Sequence, residues 1–185
     1  MIILASASPR RRELLTMAGI EYTCIPSDAE ENVPDGMPAE EVPGHLSRLK
    51  AEAVFFKHPE DTVIGSDTIV YIDGMILGKP KDRNEAFEML RRLSGREHTV
   101  FTGVTLLSPG RSETFTSATK VKFYDLTDEE IRSYIATGEP MDKAGAYGIQ
   151  GYGCILVEKI CGDYFTVMGL PIAEVVRRLK AEPHG

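Results

Sequence analysis

Two serine hydroxyls and three guanidinium groups follow a short apolar run, Ile2 to Leu4, in the segment Ser6-Ala7-Ser8-Pro9-Arg10-Arg11-Arg12. Ser8 fits a helix N-cap, Pro9 the first helical position, and Gly19 the residue just past the helix end. The reading is strand, tight polar loop, helix. A loop of that kind supplies free backbone N–H groups and a positive helix end, which together with hydroxyls and guanidinium forks suit phosphate oxygens. The arginines lie in the first helical turn, where the macrodipole disfavours cations. The plainer alternative is a solvated basic turn with an ordinary cap. No GxxxxGK[ST] is present, so the segment is not a P-loop.

Asp67 is the second candidate. It lies between Val63-Ile64 and Ile69-Val70, inside what reads as a central strand, Thr62 to Ile72. A carboxylate there is costly unless it meets a cation or a donor. A backbone-bonded Asp at a bulge beside Gly65 is the alternative. In a phosphate-binding site, Asp67 would hold Mg²⁺ or orient a water. Glu30-Glu31, Lys50 and Lys79-Pro80 are each weak in isolation, as acidic loops and helix-face lysines are usually just solvated. In Asp142-Lys143-Ala144-Gly145-Ala146-Tyr147-Gly148-Ile149-Gln150-Gly151, small residues admit a ligand close to the backbone. Tyr147 and Gln150 would add stacking and amide hydrogen bonds there. Alternatively, this is a compact turn with Tyr147 in the core.

The elements that must position these groups alternate along the chain. Ile20 to Pro26 reads as a second strand and Asp28 to Pro38 as an acidic loop. Ala39 to Phe56 is helical, interrupted by Pro43-Gly44. Asp73-Gly74 predicts a hairpin turn into Met75 to Leu77. Asn84 to Leu93 is an amphipathic helix ended by Ser94-Gly95. Thr99 to Leu107 and Glu113 to Phe123 are β-rich, joined through Pro109-Gly110. Thr127-Asp128-Glu129-Glu130 is a capping box opening a helix that stops near Gly138. Gly151 to Lys159 and Tyr164 to Met168 read as strands, and Pro171 to Lys180 as a last helix. The expected fold class is α/β: a mixed twisted sheet flanked by helices, one domain over residues 1–185 with two lobes and a central cleft.

Composition excludes several classes. A net charge of −7 argues against broad nucleic-acid binding. The three cysteines, Cys24, Cys154 and Cys161, make a poor disulfide framework and read as small buried hydrophobes in a reducing cytosol. The histidines show no HxH or HExxH spacing, which disfavours a zinc site. No apolar stretch approaches the roughly 20 residues that span a bilayer, and no signal peptide is visible. A cytoplasmic protein with neither membrane nor nucleic-acid partner is expected.

Taken in order, Leu4-Ala5-Ser6-Ala7-Ser8-Pro9-Arg10-Arg11, Gly65-Ser66-Asp67-Thr68, Gly78-Lys79-Pro80, Asp142 to Gly151 and Gly169-Leu170-Pro171 closely resemble the Maf family of nucleotide pyrophosphatases, over essentially the whole chain. The resemblance implies a fold similar to inosine-triphosphate pyrophosphatases (Maf/Ham1-like) and, often, a homodimer. It implies cleavage between the α and β phosphates with a divalent cation, Mg²⁺ or Mn²⁺. Asp67 matches the proposed proton acceptor. Arg10, Thr68 and Gln150 match the positions that distinguish subgroups, in the combination of the subgroup that takes dTTP and UTP.

On that reading Ser8, Arg11, Lys50 and Lys79 clamp the triphosphate, and Asp67 with Glu31 holds the metal. Glu31 is preferred to Glu30 in a loop that departs from the family's usual run. A metal beside Asp67 would make it a poor base, leaving ligand and water orienter as its main work. Two other readings compete. One is a nucleotide-sensing regulator of septum formation with little turnover; the other is a purine-directed housecleaning pyrophosphatase.

Overall fold

The computed structural model describes residues 1–181, and His184 lies outside them. The opening apolar run is a strand, β1 (Ile2–Leu4). It pairs in parallel with the two-residue β2 (Thr23–Cys24) and with β3 (Thr62–Ile72), Ile3 standing opposite Val63. Parallel pairing needs crossovers, and helices α1 (Pro9–Met17) and α2 (Val42–Phe55) lie in them. At Asp73-Gly74, both at positive φ, β3 turns into the antiparallel β4 (Met75–Leu77), as that dipeptide predicts.

Helix α3 (Arg83–Leu93) leads to the long strands β5 (Glu97–Ser108) and β6 (Arg111–Phe123). α4 (Asp128–Ala136) opens on the predicted capping box, Thr127 and Glu130 bonding reciprocally. Three short 3-10 turns, β7 (Val157–Cys161), α5 (Tyr164–Met168) and α6 (Ile172–Lys180) complete the described chain. Seven strands form one mixed sheet in the order β2-β1-β3-β5-β6-β7, with β4 beside β3. This is the expected α/β class with helices flanking the sheet.

Two compact units share these elements. Residues 1–67, 102–117 and 169–181 form the first; residues 68–101 and 118–168 form the second. The first unit packs Ile3, Ala5 and Val63 of the sheet against Ala51 and Val54 of α2. The second buries Leu90 and Leu93 of α3 and Ile131 of α4 with Val121 and Phe123.

Four local readings of the sequence are corrected. Pro43-Gly44 does not interrupt α2 but lies in its first turn, where proline's missing N–H costs nothing. A Cβ on Gly103 of β5 would collide with Pro43, so backbones touch there. Tyr164 to Met168, rich in β-formers, is helical because the Asp163 carboxylate accepts from both Thr166 N (2.7 Å) and Thr166 Oγ1 (2.9 Å), an N-cap that overrides strand propensity. The strand expected from Gly151 starts at Val157, since Gly151 has φ +67° and Gly151–Ile155 is a 3-10 turn. Cys154 and Cys161 are exposed rather than buried: one sits in that turn, the other on the edge strand β7. All three cysteines are unpaired.

Tyr147 belongs to the core of the second unit. Its hydroxyl and His98 Nε2 share a 2.7 Å hydrogen bond, and Phe123 packs edge-on against both rings. His98 is buried, and its Nδ1 has no partner among the described residues. Desolvation pulls its pKa from 6.5 down to about 4. The folded protein thus keeps His98 neutral down to that pH, while the unfolded chain takes up a proton near 6.5. Stability from this group is full above 6.5, falls as pH drops toward 4, and levels off below. The whole shift amounts to about 3 kcal/mol. Urea midpoints taken from pH 7 to pH 4.5 should fall accordingly, and less steeply in His98→Gln. Parallel slopes for the two proteins would remove His98 as the source.

Candidate active site

Within the first unit, Asp67 is set by the sequence of β3 itself. Its side chain is 12% exposed, and Oδ1 accepts a 2.6 Å bond from Lys50 Nζ. Lys50 comes from α2, and its ammonium also lies 3.1 Å from Glu31 Oε1 in the acidic loop. One cation therefore bridges the two carboxylates expected to hold metal. Glu30, the alternative, accepts from the Asn32 side chain instead. The acidic loop is further held by His45 Nε2, 2.8 Å from the Asn32 carbonyl oxygen.

Gly65 makes the bridge possible. A Cβ there would collide with the Ser47 carbonyl oxygen and stand 2.8 Å from Ala51 Cβ. The backbone of β3 thus lies directly against α2, at Ser47 one turn before Lys50 and at Ala51 next to it, so the lysine reaches Asp67 with its stem buried.

The strand-to-helix loop is arranged differently from the simple cap that the sequence suggests. Ser8 holds the N-cap position of α1 but its side chain makes no capping bond; its N–H donates to Ser6 Oγ (3.2 Å). The Ser8 hydroxyl is therefore not spent on the helix. Arg11 is half-buried. Its Nε donates to the Gly169 carbonyl (2.8 Å) and its Nη1 to Ser6 Oγ (3.1 Å). Burial lowers its pKa while the Asp67 carboxylate opposes that; a guanidinium stays charged regardless. Arg10 is half-buried beside it.

The sequence reading left Ser6, Ser66 and Gly169 without individual roles. Ser66 Oγ donates to the same Gly169 carbonyl at 3.0 Å, so one carbonyl ties β3 and α1 to the residue before Leu170-Pro171. The signal was their presence in the quoted motifs.

The second unit carries the remaining candidates. Thr68 is half-buried in β3 and Lys79 is exposed after β4. The Gly78 carbonyl accepts from Gly145 N (3.1 Å), which joins the Lys79 loop to the segment leading to Gln150. Gly145 has φ +67°, and a Cβ there would stand 2.9 Å from Val70. Tyr147, buried with His98, is no stacking platform, whereas Gln150 is half-exposed. Its amide has no hydrogen-bond partner among the described residues.

Two carboxylates converging on one cation suit a hard divalent metal. Mg²⁺ takes one or two carboxylates and completes its shell with phosphate oxygens and waters. Asp67 and Glu31 fit that pattern. No group of three or more His, Cys, Asp or Glu that would hold a metal gathers among the described residues, and the pattern requires none.

A mixed sheet flanked by helices, opening on a strand–loop–helix, makes this an α/β fold of the Ham1 kind. The Staphylococcus aureus Ham1 protein matches over 82% of this chain and 77% of its own, with TM-score 0.51 at 16% identity, a likeness of fold alone. The sequence model of the family described as Maf-like protein matches residues 1–182, and the chain belongs to that family. Similar relatives include proteins of Bacillus pumilus (54% identical, over 97% of this chain and 95% of the relative) and Bacillus velezensis (52%, over 97% and 95%). A relative from Halalkalibacterium halodurans is 48% identical over 100% of this chain and 96% of its own. Each of the three carries the name dTTP/UTP pyrophosphatase.

Gly65→Ala should cost roughly 1–3 kcal/mol, the usual range for overpacking, because backbone rather than a flexible side chain must give way. Gly78→Ala has open space at its Cβ and serves as the near-neutral control. Urea denaturation of both checks this. Equal midpoints would mean that β3 and α2 do not need their close approach.

Proposed function

We propose that this protein hydrolyses dTTP and UTP to the monophosphate and pyrophosphate. The observation that carries the chemistry is Asp67, held in an interior strand by a lysine that also bridges Glu31. The substrates follow the name borne by relatives at about half identity over nearly the full length of both chains.

The charges divide the work. Arg11, fixed by Ser6 and Gly169, is a positive charge that needs no reorganisation when phosphate arrives. The uncapped Ser8 hydroxyl and the N–H groups at the start of α1 donate to phosphate oxygens. Lys50 and Lys79 neutralise the remaining charge. A divalent cation, Mg²⁺ or Mn²⁺, held by Asp67 and Glu31 would offset the charge developing on the phosphate oxygens during attack at the α-phosphorus. Asp67 would act mainly as metal ligand and orienter of the attacking water, with proton acceptance as its second role. Gln150 reads the base: uracil and thymine present an N3–H between two carbonyl acceptors, and a primary amide matches that edge with one acceptor and its donors. Arg10 and Thr68 shape the rest of the specificity. The cytoplasm suits a protein with three unpaired cysteines, two of them exposed.

With Mg²⁺ or Mn²⁺, UTP should yield UMP and pyrophosphate, and EDTA should stop the reaction. Orthophosphate and UDP as first products would refute attack at the α-phosphorus. Tight nucleotide binding without turnover would favour the sensor reading, and a preference for purine nucleotides the housecleaning one.

Asp67→Asn, nearly isosteric, should fold and lose roughly a hundredfold in kcat. Near-normal turnover in the folded variant would remove Asp67 from the chemistry.

A further inference from the structure

Gln150 sits on backbone that is anchored on both sides by one carboxylate outside the candidate site residues. Glu139 lies in a 3-10 turn (Glu139–Asp142) just past Gly138, which has φ +76°. Its Oε2 accepts from Tyr152 N (2.8 Å) and its Oε1 from Gly153 N (3.0 Å). The same Oε1 accepts from the Tyr134 hydroxyl (2.8 Å), and that hydroxyl in turn accepts from Gly148 N (3.1 Å). The chain on either side of Gln150 is thus held two residues before it, through Tyr134, and two and three residues after it, directly.

The loop is shaped for this anchor. A Cβ on Gly151 would collide with Glu139 Oε2, and one on Gly153 would stand 2.8 Å from the Tyr134 hydroxyl and collide with the Gly148 carbonyl. Glycine at both positions lets the backbone close around the carboxylate. Tyr134 is buried in the core, so its hydroxyl is a fixed relay. The Lys143 ammonium closes the other side of the turn, donating to the Glu139 carbonyl (2.8 Å) and pairing with Asp142. Between the anchored residues Gly148 and Tyr152, the Gln150 amide has no partner among the described residues.

We propose that Glu139 is a positioning residue for base selection: with Tyr134 it fixes the backbone around Gln150, so that the Gln150 amide meets the pyrimidine edge in one orientation. This rests on the proposed reading of Gln150 and extends it. The physical reason is that a base edge is read through hydrogen bonds whose strength falls steeply with distance and angle, so where the amide stands decides which edge it can match. A loop free to shift lets the amide meet either pyrimidine edge. Discrimination therefore resides in the anchor as much as in the amide.

Glu139→Gln tests this with little change of shape. One carboxylate oxygen becomes an NH₂ that faces an N–H, so at least one anchor bond is lost. The ratio of kcat/KM for UTP to that for CTP should fall about tenfold, mainly through KM, while kcat for UTP stays within about threefold. A merely structural defect would lower both substrates together and leave the ratio alone. Gln150→Ala should also lower the ratio, and in the double variant the two losses should not add, because one acts through the other. Hydrogen exchange at Gly148, Tyr152 and Gly153 should speed up in Glu139→Gln, a readout independent of turnover. Faster exchange with an unchanged ratio, or losses that add in the double variant, would overturn the proposal. A wild-type protein that releases no pyrophosphate from UTP would instead overturn the function on which it rests, leaving the exchange result to report on the anchor.

Discussion

A carboxylate in the interior of a sheet is the constraint around which the first unit is built. Asp67 has apolar neighbours along β3 and is almost removed from water. Alone it would carry an uncompensated desolvation cost. Lys50 offsets that cost, and the pair exists because Gly65 brings helix and strand into contact at that level. Such a pair adds little net stability over a hydrophobic substitute of the same volume, yet removing one member costs about 3–5 kcal/mol. The arrangement is thus better explained by chemistry than by stability. It holds a negative charge in a fixed place beside a cation that can be exchanged or shared.

Much of this was legible in the sequence. An Asp between Val63-Ile64 and Ile69-Val70 breaks a strand rule plainly enough to be noticed, and Asp73-Gly74 and Thr127 to Glu130 name their own turns. What was not legible has a common physical cause: it depends on partners brought from elsewhere in the chain. Pro43-Gly44 looked like an interruption because Gly103, against which it packs, is distant in sequence. Tyr164 to Met168 looked like a strand because one side-chain bond from Asp163 outweighed five residues of propensity. Glu139 gave no signal, since its partners are mostly backbone N–H groups, which every sequence has. Tyr147 left two readings open, and the hydrogen bond to His98 decided between them.

The two units carry chemically different loads. The first holds the fixed charges: Arg11, Lys50, Asp67 and Glu31, each tied to another group by short bonds or by field. The second holds Gln150 on a loop whose tight turns use positive-φ glycines and whose backbone is anchored by an internal carboxylate. A sheet shared with a Ham1 protein at 16% identity specifies neither load.

The Gly169 carbonyl, which accepts from both Arg11 and Ser66, has a consequence for how the chain comes into being. The first unit takes its residues from three stretches of the sequence, the last beginning at Gly169, with the second unit's segments emerging from the ribosome in between. When Asp67 leaves the exit tunnel, the oxygen that will receive Arg11 and Ser66 has not been synthesised. At roughly 5–20 residues per second, the wait lasts on the order of ten seconds. During that interval the nascent chain carries a charged, incompletely tethered half-site. The second unit ends at Met168, one residue earlier, and so has all its segments translated before the first can close. Gly169 therefore acts as a late fastener in biosynthesis, and a chain cut short before it would hold Arg11 through Ser6 without the carbonyl that completes its tether.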